Sequence, residues 1–121
     1  MIQTFDGEEH YHNVLKIASS NKYVVINFSA TWCIPCKKVA PLYESLSEED
    51  SLMTKCYFYK VDIDEHSEIA EICETTKMPT FQVYSNQSKV FESIGPNLDD
   101  LKNFLSTNQC KDQSQNLSLF N

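Results

Sequence analysis

Cys33 and Cys36 stand two residues apart, with Ile34 and Pro35 between them, Trp32 in front and Lys37 behind. Two thiols at this spacing bind metal, exchange disulfides or simply pack, and the surroundings must decide among the three. A structural zinc site needs four ligands. No second C-x-x-C and no H-x3–5-H accompanies the pair, and Cys56, Cys73, Cys110 and His66 are scattered along the chain. Spacing therefore points to redox chemistry, with metal binding and packing as the alternatives.

The elements that must position the two sulfurs are legible on either side. Tyr23 to Phe28 reads Tyr-Val-Val-Ile-Asn-Phe, a β-rich run suited to a buried central strand. Beyond the cysteines, Val39, Leu42, Tyr43 and Leu46 recur at helical spacing, which predicts a helix from about Ile34 to Glu49. Pro35 falls in its first turn, where the missing N–H is no loss, whereas Pro41 lies inside and predicts a kink. A strand thus delivers Cys33 to a helix N-terminus, where unpaired N–H groups and the helix dipole favour a thiolate. On this reading Cys33 is exposed, has a lowered pKa and attacks; Cys36, one turn inward, is shielded and resolves.

With 121 residues the chain fits one domain and buries roughly two-thirds of its unfolded surface, enough for a core without staples. An apolar fraction of 41% is ordinary for a globular protein, so wholesale disorder is not expected. The net charge of −7 and pI near 4.8 repel phosphate backbones and anionic lipid, which argues against nucleic acid and membrane surfaces as partners. Met1 to Glu9 has no basic region, and no apolar run approaches bilayer-spanning length. These features, with the odd count of five cysteines, give a reducing, cytoplasmic address as the expectation. Without secretion the three N-x-S sequons at Asn27, Asn86 and Asn116 carry no meaning.

Along the chain, Ile2 to Phe5 reads as a short edge strand. A helix capped by Asp6 or Gly7 follows, with Tyr11, Val14, Leu15 and Ala18 on one face and Ser19-Ser20-Asn21 as its stop. His10 and His12 fall on different faces, so no metal pair is expected. Ser47 to Thr54 is polar and acidic and reads as a loop. Cys56 to Ile63 reads as a second central strand, closing a parallel, right-handed strand–helix–strand unit. Ile69, Ala70, Ile72 and Cys73 suggest a short helix between His66 and Glu74, with Cys73 half-buried. Phe81 to Tyr84 and Lys89 to Ile94 form an expected antiparallel hairpin, Asn86 being the turn residue best suited to a left-handed conformation. Gly95-Pro96-Asn97 then turns the chain, and Asn97 caps a last helix with Leu98, Leu101, Phe104 and Leu105 on its apolar side. Residues 1–108 make the domain, and 109–121 read as a frayed polar tail carrying Cys110.

Val25-Ile26-Asn27-Phe28-Ser29-Ala30-Thr31-Trp32-Cys33-Ile34-Pro35-Cys36-Lys37, then Lys60-Val61-Asp62-Ile63-Asp64, then Met78-Pro79-Thr80-Phe81, resembles the thioredoxin family of eukaryotic cytosolic type over residues 1 to about 108. The resemblance implies an α/β thioredoxin fold, a mixed five-stranded sheet flanked by four helices. It implies a redox-active monomer with protein-disulfide reductase activity and no bound cofactor, acting on disulfide-containing proteins, peroxiredoxin-like enzymes among them. Electrons would come from NADPH through thioredoxin reductase. Cys33 matches the family's nucleophile and Cys36 its resolving thiol; Trp32 covers the site and donates its indole N–H to Asp64. Pro79 matches the loop proline that is cis in this fold and sets the Met78 backbone beside the sulfurs as a substrate-pairing edge. Lys60 matches a position near the resolving cysteine, and Trp32, Ile34, Met78, Pro79 and Gly95 form the implied substrate face.

Three departures from the family pattern stand out. Ile34 replaces the usual glycine between the cysteines and adds apolar bulk to the rim. The turn of the last hairpin has no glycine, only Ser85 to Ser88. Asn27 stands where the family usually buries an aspartate beneath the cysteines, so the usual proton acceptor is missing. Two readings of another class follow from these changes and from the thiols: a binding module that keeps the fold to grip a partner, and a metal- or cluster-bridging dimer held by Cys33.

Overall fold

In the computed structural model, which describes residues 1–18 and 22–107, the chain runs β1 (Ile2–Gln3), α1 (Glu8–Ala18), β2 (Tyr23–Ser29), α2 (Ile34–Ser47), α3 (Asp50–Met53), β3 (Cys56–Asp62), α4 (Ser67–Ile72), β4 (Thr80–Ser85), β5 (Ser88–Ile94) and α5 (Asp99–Thr107). The expected stop at Ser19 to Asn21, the polar tail and Cys110 lie outside the described residues.

The five strands form one mixed sheet in the order β1-β3-β2-β4-β5. β2 is central, parallel to β3 and antiparallel to β4, and six of its seven residues are buried. A strand covered on both faces needs apolar side chains pointing both ways, which is why Tyr-Val-Val-Ile and Phe run nearly without a break. Alternate residues then serve two cores. Tyr23 and Val25 pack with Val39, Tyr43 and Leu46 of α2, Leu52 of α3 and Leu101 and Leu105 of α5. Val24, Ile26 and Phe28 pack with Tyr11, Leu15 and Ala18 of α1 and Ile69 and Ala70 of α4. Four helices, α1, α2, α4 and α5, flank the sheet as expected, and the described residues add a fifth of a single turn.

The extra helix is α3, in the segment expected to be a loop. Leu52 is 3% exposed, and the N–H groups of Leu52 and Met53 both reach the Glu49 carbonyl. One apolar anchor, worth roughly 1.5–3 kcal/mol when buried, closes a single turn that the polar composition around it hides. Two further side chains depart from expectation. Leu42, placed on the apolar side of α2 by its spacing, is 58% exposed beside the start of α5. Cys73, expected half-buried, is fully buried just past α4, with its thiol donating to the Tyr11 hydroxyl at 3.2 Å. Burial of that thiol pushes its pKa up and keeps it neutral.

Ser85 and Ser88 close the hairpin across a two-residue turn in which both Asn86 (φ 53°) and Gln87 (φ 67°) are left-handed. Such a turn matches the twist of the flanking strands, whereas residue type alone points to that conformation only at Asn86. At the other end, the Asn97 side chain accepts the Asp99 N–H at 2.8 Å and starts α5.

Candidate active site

β2 leaves the sheet at Ser29, and four residues later Cys33 is the N-cap of α2, with extended backbone angles (φ −92°, ψ 110°). Its sulfur accepts the Cys36 N–H at 3.2 Å, one of the donors that a helix start leaves without an internal partner. Pro35 occupies the first turn. Cys33 and Cys36 are joined as a disulfide, their Cα atoms 5.3 Å apart. One helical turn thus brings the two sulfurs within bonding reach, and the cap holds one of them where helix dipoles favour negative charge.

The expectation that Cys33 is exposed and Cys36 shielded needs correction for this oxidised form. Both are buried, at 5% and 3% exposure. Each sulfur covers the other, and Ala30, Ile63 and Met78 close in around the pair. What distinguishes the two is position in the helix: Cys33 is the cap and Cys36 lies inside the first turn.

Around the disulfide the structure gathers residues from four separate stretches. The Trp32 indole N–H donates to Asp64 Oδ2 at 2.9 Å, and the ring itself is 65% exposed. Ile34 is 66% exposed. Met78 packs against the cysteines, its bond to Pro79 is cis, and the Pro79 carbonyl accepts the Gly95 N–H at 2.8 Å. Gly95 has φ +112°, a conformation that side chains with a Cβ rarely adopt, and this lets it follow Ile94 in turning off the sheet edge. Ile94, 58% exposed and paired with Thr80, joins this apolar neighbourhood. Sequence reasoning misses it because a strand residue at a sheet edge carries no local signal of chemistry.

On the α2 side of the sheet lies a cavity of about 270 Å³ bordered by Asn27, Ser29, Cys36, Lys60 and Asp62, with Lys37 and Ala40 above. The parallel register builds it, for Asn27 is opposite Lys60 and Ser29 opposite Asp62. Asn27 is 1% exposed, and its side-chain oxygen has no hydrogen-bond partner among the described residues. Leaving such a carbonyl unpaired costs roughly 1–3 kcal/mol. Asp62 is legible in the sequence only as a motif residue; its place at this cavity follows from alternation along β3, two residues on from Lys60. Among the described residues no group of three or more His, Cys, Asp or Glu is arranged to hold a metal ion.

The thioredoxin family profile matches residues 2–107. Thioredoxin 1 of Plasmodium falciparum is 46% identical over 89 residues, covering 74% of this chain and 83% of that protein. Among solved structures, Malassezia sympodialis thioredoxin superimposes with a TM-score of 0.79 at 34% identity, covering 87% of this chain and 90% of that one. A structure concerning the thiol-resolving mechanism of yeast mitochondrial 1-Cys peroxiredoxin via glutathione/thioredoxin systems gives 0.76 at 31% identity, covering 87% and 93%. The chain belongs to the thioredoxin family. It is a protein thiol–disulfide oxidoreductase whose redox centre is the Cys33–Cys36 pair.

Proposed function

We propose that this chain is a general dithiol reductant of protein disulfides, in which Cys33 attacks and Cys36 resolves. The observation that carries the assignment is the cap: Cys33 stands at the mouth of α2 with a backbone N–H aimed at its sulfur, whereas Cys36 is enclosed by the turn that follows. The Cys33 thiolate displaces one sulfur of a substrate disulfide and forms a mixed disulfide. Cys36 then attacks Cys33 Sγ, the second substrate sulfur leaves, and the pair ends oxidised while the substrate ends as a dithiol. No bound cofactor takes part, and thioredoxin reductase returns the pair to the dithiol with electrons from NADPH.

The substrate face consists of Trp32, Ile34, Met78, Pro79 and Gly95, an apolar rim with the Met78 backbone as an edge for an extended peptide. Trp32, Pro35, Asn27, Lys60 and Asp64 support the centre. Peroxiredoxin-like enzymes are among the substrates in this reading, which the yeast peroxiredoxin-related neighbour supports by analogy. Among the described residues no helix is long and apolar enough to cross a membrane. In this reading the chain is a monomer working in the cytoplasm, with residues 1–108 as the working domain.

The test is insulin reduction driven by NADPH and thioredoxin reductase. Cys33→Ser is expected to abolish turnover; Cys36→Ser is expected to attack and then stall as a mixed disulfide. Equal alkylation of both thiols at mildly acidic pH, or a Cys36→Ser variant that never forms the adduct, would reverse the assignment of roles.

A further inference from the structure

In the mixed disulfide, Cys36 must lose its proton before it can attack, and the buried group that the family usually places beneath it is here an amide. Asn27 does not titrate, and neither does Ser29. The charged side chains bordering the cavity are Lys37 from α2 and Lys60 and Asp62 from β3. A lysine ammonium offers only donors, and an ionised carboxylate only acceptors. Asp62 therefore alone among them accepts a proton.

The Asp62 carboxylate is also held in place. Its Oδ1 accepts the N–H of Asp64 at 2.9 Å and of Glu65 at 3.4 Å, which fixes the side chain, while Oδ2 takes no hydrogen bond from a described residue. Asn27 borders the same cavity, and its own carbonyl oxygen is closed to water and without a hydrogen-bond partner among the described residues. A volume of about 270 Å³ is room enough for water, and the Asp62 carboxylate is the acceptor that would position it.

We propose that Asp62 is the proton acceptor for the resolving sulfur, reached through water in this cavity. The inference rests on the reducing role assigned to Cys33 and Cys36. The Cys36 proton passes through water to the Asp62 carboxylate. The resulting thiolate bonds to Cys33 Sγ as the bond from Cys33 to the substrate breaks. The electron pair leaves on the substrate sulfur, which takes up a proton from solvent, and Asp62 returns its own proton to water. Across both steps two electrons move from the dithiol to the substrate disulfide.

Single-turnover reduction of insulin by the pre-reduced chain, quenched in acid and read by mass spectrometry, separates adduct formation from adduct decay. Asp62→Asn keeps an oxygen for the turn but removes the base. Adduct formation is expected at the parent rate, with decay slowed at least about tenfold near pH 7, since a positioned base contributes ~10²–10⁴ and solvent replaces part of that. The decay rate should then climb about tenfold per pH unit as hydroxide takes over, where the parent profile is flatter. Adding Asn27→Asp to Asp62→Asn restores a carboxylate to the same cavity and should restore decay, a rescue that a merely structural defect would not show. Decay of Asp62→Asn at the parent rate and pH profile overturns the proposal, as does a failed rescue, or stalling in Lys60→Gln but not in Asp62→Asn. A parent chain that reduces no insulin overturns the reducing role itself, and the relay with it.

Discussion

An amide at position 27 alters stability as well as proton transfer. Asn27 is buried, and a carboxylate put in its place would have its pKa raised by desolvation. Such a group leaves stability intact below its unfolded pKa. As pH rises through the folded value it costs ~1.4 kcal/mol for every pH unit that separates the folded and unfolded values. Asn27→Asp is therefore expected to speed adduct decay but to lower the thermal midpoint at pH 7, with the difference shrinking in acid. Thermal melts of the two chains at about pH 7 and pH 4, beside single-turnover kinetics, check this; no change in either would mean that position 27 does not communicate with Cys36. The departure at Asn27 is legible because it falls inside a motif whose other residues fix its position. Asp62 is not legible in that way. Its contact with the cavity depends on Ser29 facing it across a parallel pair, and nothing local to β3 states which strand will lie beside it or in what register.

The elements divide along similar lines. β2 and β3 are readable as runs of β-branched and aromatic residues, and α2 and α5 by an apolar period of 3.6 that tertiary packing uses except at Leu42. The start of α2 is readable from Cys33, Pro35 and the apolar spacing together. The failures are short elements held by one contact. α3 owes its turn to Leu52, and the left-handed Gln87 is imposed by the strands that it joins. The latter has a measurable cost, because an L-residue in the left-handed region is disfavoured by roughly 1–2 kcal/mol. Glycine avoids that cost but loses some of the gain to greater freedom in the unfolded chain. Gln87→Gly is expected to raise stability by about 0.5–1 kcal/mol, a midpoint increase of a few degrees, with insulin turnover unchanged. A lower midpoint would show that the Gln87 side chain contributes more than its backbone costs.

At the scale of the whole molecule, both cores bury phenol hydroxyls. Tyr11 and Tyr84 are buried on the α1 and α4 side, with Tyr84 donating to Gln82 at 2.8 Å, and Tyr43 lies in the opposite core. Desolvation raises the pKa of all three well above the usual phenol value, with the hydrogen bond to Cys73 adding to the rise at Tyr11 and Tyr84. Their protons are retained in the folded chain and released from the unfolded one above about pH 10, so stability is intact below that range and falls as pH rises through it. Tyr84→Phe should lose about 1 kcal/mol at pH 7 with its hydrogen bond, yet show a shallower decline above about pH 10. Urea midpoints across that range decide it; parallel curves for the two chains would assign the alkaline loss to other groups. The N-cap of α2 has a consequence on the same scale. The atom that closes the start of this helix is also the atom that changes oxidation state, so helix and redox couple form one thermodynamic cycle. Whatever the backbone donates to the Cys33 sulfur more strongly in the dithiol than in the disulfide stabilises the reduced fold and makes the couple more oxidising by the same free energy, with ~30 mV equivalent to about 1.4 kcal/mol. A melting curve of the two forms is therefore a voltmeter: the gap between their unfolding free energies is the difference in potential between the folded centre and the same two thiols on an unfolded chain.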